Sequence, residues 1–171
     1  MSNFTKIFLK PGKEASLQRF HPWVFSGAIK KIADKVNEGD IVQVYDNEGN
    51  FLAVGHYQIG SIAVRIVSFE EELADYEFYK KRIQQAYEVR KAIGLAGSET
   101  TNAYRLVHGE GDNLSGLIID YYNGTAVVQM HSVGMYLVRE LINKALQEVL
   151  GDELKSIYNK SEGTLPYKAD V

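Results

Sequence analysis

The chain has 171 residues, no cysteine, 45% hydrophobic residues and a formal net charge of −3. The absence of cysteine excludes disulfides, thiolate metal sites and thiol nucleophiles, and no apolar run approaches the roughly 18 residues that a membrane helix needs. We therefore expect a globular cytoplasmic protein that does not enter a membrane.

Positive charge is concentrated at the N-terminal end of the chain. Residues 1–35 hold seven lysines and arginines and two acidic residues, whereas the remainder holds 12 basic and 20 acidic residues. An asymmetry of this size favours contact between this end and a polyanion, although a solvated charged face produces the same pattern.

The first 69 residues predict a small β-barrel. Apolar and polar residues alternate over residues 4–9, 41–45, 51–57 and 62–67, and turns separate these segments. Short strands at this spacing are typical of a barrel. Gly39 predicts a sharp turn into the second segment, and Gly55 predicts a bulge or a close approach of backbone. A short helix is expected over residues 14–19.

Residues 19–29 read Arg-Phe-His-Pro-Trp-Val-Phe-Ser-Gly-Ala-Ile, within the basic end of the chain. Arg19 and His21 are expected to face solvent, because Pro22 favours an extended or turned backbone. For Trp23 two positions stay open: it lies either in the barrel core or on an aromatic surface that suits nucleic acid.

The sequence period changes near residue 70. Apolar residues spaced by three and four predict a helix that ends at Gly94, with a start capped by Ser68 and Glu71 or by Asp75 alone. We place a domain boundary within residues 68–75 and assign residues 70–103 to a connecting helix and loop.

Residues 104–166 predict a small α+β domain. Strands are expected over residues 104–107, 115–122 and 125–130, and Asn123-Gly124 joins the last two as a hairpin. A helix then ends at Gly151, and residues 156–158 predict a further strand beside the hairpin. Residues 167–171 have the composition of a linker.

No pattern in the sequence predicts catalysis or metal binding. The glycine-rich loop over residues 109–113 precedes a strand rather than a helix, so a turn between two strands is favoured over a phosphate cradle. The histidines lack the spacing of metal ligands; they are His21, His56, His108 and His131. We assign no catalytic, cofactor-binding or metal-binding residue.

Two blocks of the sequence resemble a known family. Residues 4–69 resemble the PUA domain that opens the SAM-dependent ribosomal RNA large-subunit cytosine-5 methyltransferases, on Lys10-Pro11-Gly12-Lys13 and on residues 19–29, 38–42 and 51–55. Residues 104–166 resemble the central domain of that family, on residues 104–112, 115–120 and 157–161. The two blocks stand in the order and at the spacing of the family.

The resemblance implies a mixed α+β fold. Residues 1–69 would form a PUA-like β-barrel, a small α+β domain would follow over residues 104–166, and no Rossmann domain would be present. In that family a C-terminal domain binds SAM and carries a cysteine nucleophile. Because this chain has no cysteine, we expect an N-terminal fragment that is not itself an enzyme, with SAM as the cofactor of the parent protein only.

The resemblance also implies an RNA-binding groove beside the first helix. In such a groove cations contact phosphates and an aromatic face stacks an unpaired base. The expected partners are RNA, in particular large-subunit ribosomal RNA, the absent methyltransferase domain and, as an open alternative, a second copy of the chain. The candidate RNA-binding residues are Lys10, Lys13, Arg19, His21, Trp23, Lys30 and Lys31.

Two other functions stay open. A free-standing RNA-binding adaptor would have the same basic end. A protein-interaction module would bind no RNA and would form a dimer through the helix over residues 73–93 or through the second hairpin.

Overall fold

The computed structural model describes residues 4–165, and the chain divides into two compact units, Met1–Leu73 and Ala74–Val171. The first unit contains a six-stranded sheet and the second a four-stranded sheet with helices, so the predicted mixed α+β class is confirmed. The predicted linker over residues 167–171 and the last residue of the predicted central domain lie outside the described residues.

The first unit is built from six short strands. In chain order they are β1 Thr5–Leu9, β2 Trp23–Phe25, β3 Ile29–Ile32, β4 Ile41–Tyr45, β5 Phe51–Tyr57 and β6 Ile62–Ser68. Their order in the sheet is β2-β6-β5-β4-β1-β3, and only the β1–β4 pair is parallel. Sequence analysis missed β2 and β3, because strands of three and four residues are too short to show a period.

The two edge strands of this sheet are neighbours in the chain. β2 ends at Phe25, β3 begins at Ile29, and the 3-10 turn Ser26–Ala28 joins them. Four Cα steps span at most about 15 Å, whereas the edges of a flat six-stranded sheet lie about 24 Å apart. The sheet therefore curls into a half-barrel, and this short link holds its two edges together.

The hydrophobic core lies on the concave side of the half-barrel. Its buried residues are Ile7, Leu9, Leu17, Val24, Val42, Val44, Ala53, Val64 and Ile66. Leu17 is the contribution of the segment before β2. The helix predicted over residues 14–19 forms only in its second half, as the 3-10 turn Leu17–Arg19, whereas residues 14–16 form a turn. It ends at the predicted residue, because Phe20 adopts a left-handed φ of 60° and Pro22 favours an extended backbone at His21.

Gly55 allows β5 and β6 to approach each other closely. The β5–β6 register shifts between Val54 and Gly55, and a Cβ atom built on Gly55 would lie 2.4 Å from the carbonyl oxygen of Arg65. The predicted bulge and the predicted close approach are both confirmed. The sharp turn predicted at Gly39 is confirmed as well, with a φ of 91°.

The described part of the second unit, up to residue 165, contains four strands and three α-helices. The strands are β7 Ala103–His108, β8 Leu117–Tyr122, β9 Thr125–Met130 and β10 Ser156–Asn159, and the helices are α1 Tyr76–Ala92, α2 Val133–Leu137 and α3 Arg139–Leu150. The sheet order is β10-β9-β8-β7, with β10 parallel to β9, which confirms the strand predicted beside the hairpin. The hairpin turn is also confirmed: Asn123 and Gly124 have positive φ angles of 44° and 98°, as a type I′ turn requires.

Helix α1 belongs to this second unit. The Asp75 carboxylate caps it by accepting a hydrogen bond from Phe78 N at 3.1 Å, and Gly94 follows its end with a φ of 73°. The helix packs against α3 and β7. The sequence suggests instead that residues 70–103 only connect the two domains. The predicted helix that ends at Gly151 is confirmed as α3, and α2 is a separate short helix capped by Ser132.

A nearly buried ion pair fixes α1 against the β7–β8 connection. Nη1 and Nη2 of Arg90 donate to the Asp112 carboxylate at 2.5 and 2.8 Å, and the two side chains are only 12% and 10% exposed. Nε of Arg90 donates to the carbonyl of Arg105 at 2.9 Å, and His108 N donates to Asp112 at 2.6 Å. The glycine-rich loop is thus the 3-10 turn Gly109–Asp112 between two strands, as expected.

Replacing Gly55 by Ala should lower the free energy of unfolding by about 1–3 kcal/mol, because the new methyl group meets the Arg65 backbone. Urea unfolding measures this loss. The matched control is Gly27→Ala, since no atom lies within 4 Å of a Cβ built there. Equal stabilities for the two variants would contradict the close approach of β5 and β6.

His56 should make the protein less stable in acid. It is 1% exposed, and burial lowers the pKa of His56 to about 4, whereas an unfolded histidine titrates near about 6.5. Between these values the unfolded chain binds the extra proton, so the free energy of unfolding decreases as the pH falls. On going from pH 7 to pH 4, the free energy of unfolding of the His56→Gln variant should therefore decrease by about 3 kcal/mol less than that of the unchanged protein. Urea unfolding at several pH values measures it, and an identical pH dependence in the variant would contradict the assignment.

Candidate nucleic-acid interface

A cleft of about 350 Å³ opens in the first unit, beside the edge strand β2. Its other walls are the end of β1 and the segment over residues 13–17, and the link between β2 and β3 closes one end. The lining residues are Leu9, Lys13, Ser16, Leu17, Trp23, Val24, Phe25, Gly27 and Ala28. Since Leu9, Leu17 and Val24 also belong to the core, the floor of the cleft is apolar and firmly held.

Three aromatic rings lie together along β2. Val24 points into the core, so Trp23 and Phe25, and His21 before them, lie on the other face of the extended segment. The ring centroids of His21 and Trp23 are 5.7 Å apart and those of Trp23 and Phe25 are 6.4 Å apart, both in edge-to-face contact. Trp23 is half-buried and Phe25 is 49% exposed. This is an aromatic surface on which an unpaired base could stack.

The open question about Trp23 is thereby answered in part: Val24 is the core residue of this run, and Trp23 lines the cleft. Phe25 was not among the candidate residues. The sequence does contain a pattern that indicates Phe25: rings alternate at positions 21, 23 and 25, and alternate residues of an extended segment share a face.

Two of the candidate cations lie at the cleft. Lys13 is part of its lining, and Nζ of Lys10 donates to the carbonyl of Gly27 at 2.8 Å, on the link that closes the cleft. Arg65 adds a third cation, with its guanidinium carbon 5.8 Å from the Trp23 ring centroid. Sequence analysis missed Arg65, because it meets Trp23 only through the register of β2 and β6.

His21 is exposed, as expected, and its orientation is fixed by its own backbone neighbour. Trp23 N lies 3.2 Å from Nδ1 of His21 and donates a hydrogen bond to it. The carbonyl oxygen of Trp23 lies 3.3 Å from the same nitrogen, so the backbone of Trp23 holds this edge of the ring.

The remaining candidates lie elsewhere in the first unit. Arg19 is exposed, as expected, at the end of the 3-10 turn and does not line the cleft. Lys30 occupies the β1–β3 bulge and donates from Nζ to Asn47 at 2.6 Å. Lys31 pairs with Phe8, so its side chain lies on the convex face of the sheet. Of the seven candidates, only Lys13 and Trp23 line the cleft. Lys10 and His21 contact lining residues, Lys10 at Gly27 and His21 at Trp23. The lining does not include Arg19, Lys30 or Lys31.

The residues that the structure describes do not fit the adenosyl cofactor of a methyltransferase. Such a site needs a glycine-rich turn between a strand and a helix, whereas the turn Gly109–Asp112 joins two antiparallel strands and its Asp112 carboxylate is held by Arg90. Within residues 4–165, histidine and acidic side chains do not gather in any group of three that could hold a metal ion. In the same part of the chain, no helix is long and apolar enough to cross a bilayer.

Comparison with known proteins finds similarity over both units. Residues 7–69 match the family model of a PUA-like domain. The chain is homologous to ribosomal RNA large subunit methyltransferase I: it is 36% identical over 163 residues to the protein of Klebsiella pneumoniae subsp. pneumoniae, a match that covers 94% of this chain and 40% of that protein. The Escherichia coli protein is 36% identical over 159 residues, which cover 92% of this chain and 39% of that protein. The chain therefore spans about 40% of the length of these relatives.

Solved structures share the fold. A proposed SAM-dependent methyltransferase from Streptococcus mutans superposes with a TM-score of 0.76 at 22% identity, over 91% of this chain and 40% of that one. A proposed methyltransferase complexed with SAH gives a TM-score of 0.76 at 23% identity, over 90% of this chain and 40% of that one.

Trp23 is the only tryptophan of the chain, so its fluorescence reports directly on the cleft. A single-stranded RNA oligonucleotide should quench this emission as a base stacks on the ring, and added salt should reverse the effect. A duplex of the same length is the control and should quench less, because its bases are already stacked. Binding seen by another method without any change in emission would exclude this cleft as the site.

Proposed function

We propose that this chain is the RNA-binding, substrate-positioning part of a SAM-dependent ribosomal RNA methyltransferase that modifies carbon 5 of a cytosine. The observation that carries the proposal is the open cleft, with its aromatic rings and its lysines, on residues that match a PUA-like domain. Methyl transfer and SAM then belong to the part of the relatives that this match does not cover, and no residue of this chain takes a catalytic role.

The cleft offers two kinds of contact to RNA. In this proposal Lys10, held on the Gly27 carbonyl, and Lys13, in the lining, contact phosphates. Phosphate contacts fix the register of a nucleic acid without reading its sequence. Trp23 and Phe25 offer ring surface to an unpaired base, which contributes about 1–3 kcal/mol when it stacks. With so few cations, binding by this chain is weak and depends strongly on salt.

The need for RNA contacts away from the reacting base follows from the position of the target cytosine. A cytosine ring inside a helix is stacked, so an enzyme that modifies it must hold the RNA while the base leaves the stack. Contacts made away from the reacting base supply the binding free energy for this step. Ribosomal RNA as the substrate places the protein in the cytoplasm.

A free-standing RNA-binding adaptor would use the same cleft. The two functions differ in one measurable respect: weakening the cleft lowers methylation of ribosomal RNA by the whole protein only if the chain positions a substrate for methyl transfer. The protein-interaction alternative requires that purified protein does not bind RNA at low salt.

Replacing Lys13 by Ala should weaken RNA binding by several-fold at low salt, because one phosphate contact is lost. The slope of log K against the logarithm of the salt concentration should become shallower by about 0.7–0.9. Lys31→Ala is the matched control, since it removes the same charge from the convex face of the same unit. Fluorescence anisotropy over a salt series measures both variants. An equal loss in both would mean that general charge, and not the cleft, attracts RNA.

A further inference from the structure

The four-stranded sheet of the second unit has one face that its helices do not cover, and two tyrosines stand on it. Tyr122 at the end of β8 is 53% exposed and Tyr158 on β10 is 59% exposed. A half-open tyrosine ring has an apolar face and a polar hydroxyl, so two of them on one sheet face offer contact area to a ligand.

The strand register shows that these side chains share one face. Tyr122 pairs with Thr125 on β9, which pairs with Ser156 on β10, and the hydroxyls of Thr125 and Ser156 lie 2.9 Å apart. Tyr158 lies two residues beyond Ser156 and therefore points the same way.

The row through Tyr158 continues across the sheet. Tyr158 pairs with Val127, Val127 with Asp120, and Asp120 with Arg105. The opposite face holds buried apolar residues, among them Ile119, Val128 and Met130, on the side where the helices pack.

Charge on the open face suits a polyanion. Asp120 is the only carboxylate on the four strands, and every other acidic residue of the described part of this unit lies on a helix, a turn or a loop. The Asp120 side chain is 13% exposed and is held at 2.8 and 3.1 Å by Nε and Nη2 of Arg105, whose side chain is 46% exposed. The Asp120 carboxylate is therefore mostly covered, whereas the Arg105 guanidinium is accessible to solvent. His108, within 3.3 Å of Nη1 of Arg105, and the exposed Lys160 after β10 add further donors.

We propose that this sheet face is a second RNA-binding surface, on which Tyr122 and Tyr158 stack unpaired bases and Arg105 and Lys160 contact phosphates. The proposal rests on the proposed function, since RNA is the ligand in both. A four-stranded sheet with exposed rings is a known solution for holding single strands, because every base has a face that stacks and the flat sheet leaves room for an extended backbone. Single-stranded RNA is the occupant, since a duplex presents no free base face.

The test compares the whole chain with two double variants. Replacing both tyrosines by Ser (Y122S/Y158S) should weaken binding of a single-stranded RNA oligonucleotide by at least about ten-fold, from the loss of two stacking contacts. The Y122F/Y158F variant keeps the rings and should bind within about two-fold of the unchanged chain, a difference of about 0.4 kcal/mol. Fluorescence anisotropy measures affinity, and urea unfolding verifies that both variants remain folded. Photocrosslinking with mass spectrometry should place bound RNA on Tyr122 or Tyr158.

The outcomes separate this proposal from the previous one. If Y122S/Y158S binds RNA normally while Lys13→Ala binds weakly, the sheet face is not an RNA surface and the cleft proposal stands. If the unchanged chain binds no RNA at low salt, both fail. If sedimentation shows a dimer that Y122S/Y158S dissolves, the face is an interface between copies and the RNA proposal is overturned. Should Y122S/Y158S unfold, the crosslinking result on the unchanged chain decides.

Discussion

The three-residue link Ser26–Ala28 is the constraint on which the first unit depends. It joins the two edge strands of a six-stranded sheet, which a flat sheet would hold too far apart for so short a connection. Curling solves this problem and at the same time creates the concave core. The same link also lines the cleft through Gly27 and Ala28, so the segment that imposes the curl is part of the candidate interface.

Much of the fold was predictable because its strands are long enough to alternate and its turns have distinct chemistry. β4 and β5 appear at the predicted bounds, the Asn123-Gly124 hairpin forms, and Gly55 sits at a bulge that excludes any side chain. The short helix predicted before β2 forms only over Leu17–Arg19, as one 3-10 turn, and a left-handed Phe20 ends it at the predicted residue.

The candidate site was predictable only in part, because its members meet through tertiary register. Lys13 and Trp23, which residue type suggested, both line the cleft, and alternation along β2 would have added Phe25. Nothing near Arg65 in the sequence indicates its position over the Trp23 ring. Lys30 and Lys31 are adjacent in sequence, but a bulge and a strand pairing direct them to Asn47 and to the convex face. Charge clustering along a chain therefore does not by itself define a charged surface.

At the proposed interface, the position of the Lys10 side chain is set by the protein itself. Its ammonium group is held on the Gly27 carbonyl at 2.8 Å, so the long side chain has already given up much of its rotational freedom when the protein folds. A phosphate that binds there meets an oriented donor and does not have to immobilise a freely moving one. Pre-organisation of this kind raises affinity without an additional contact, which matters most on a surface with so few charges.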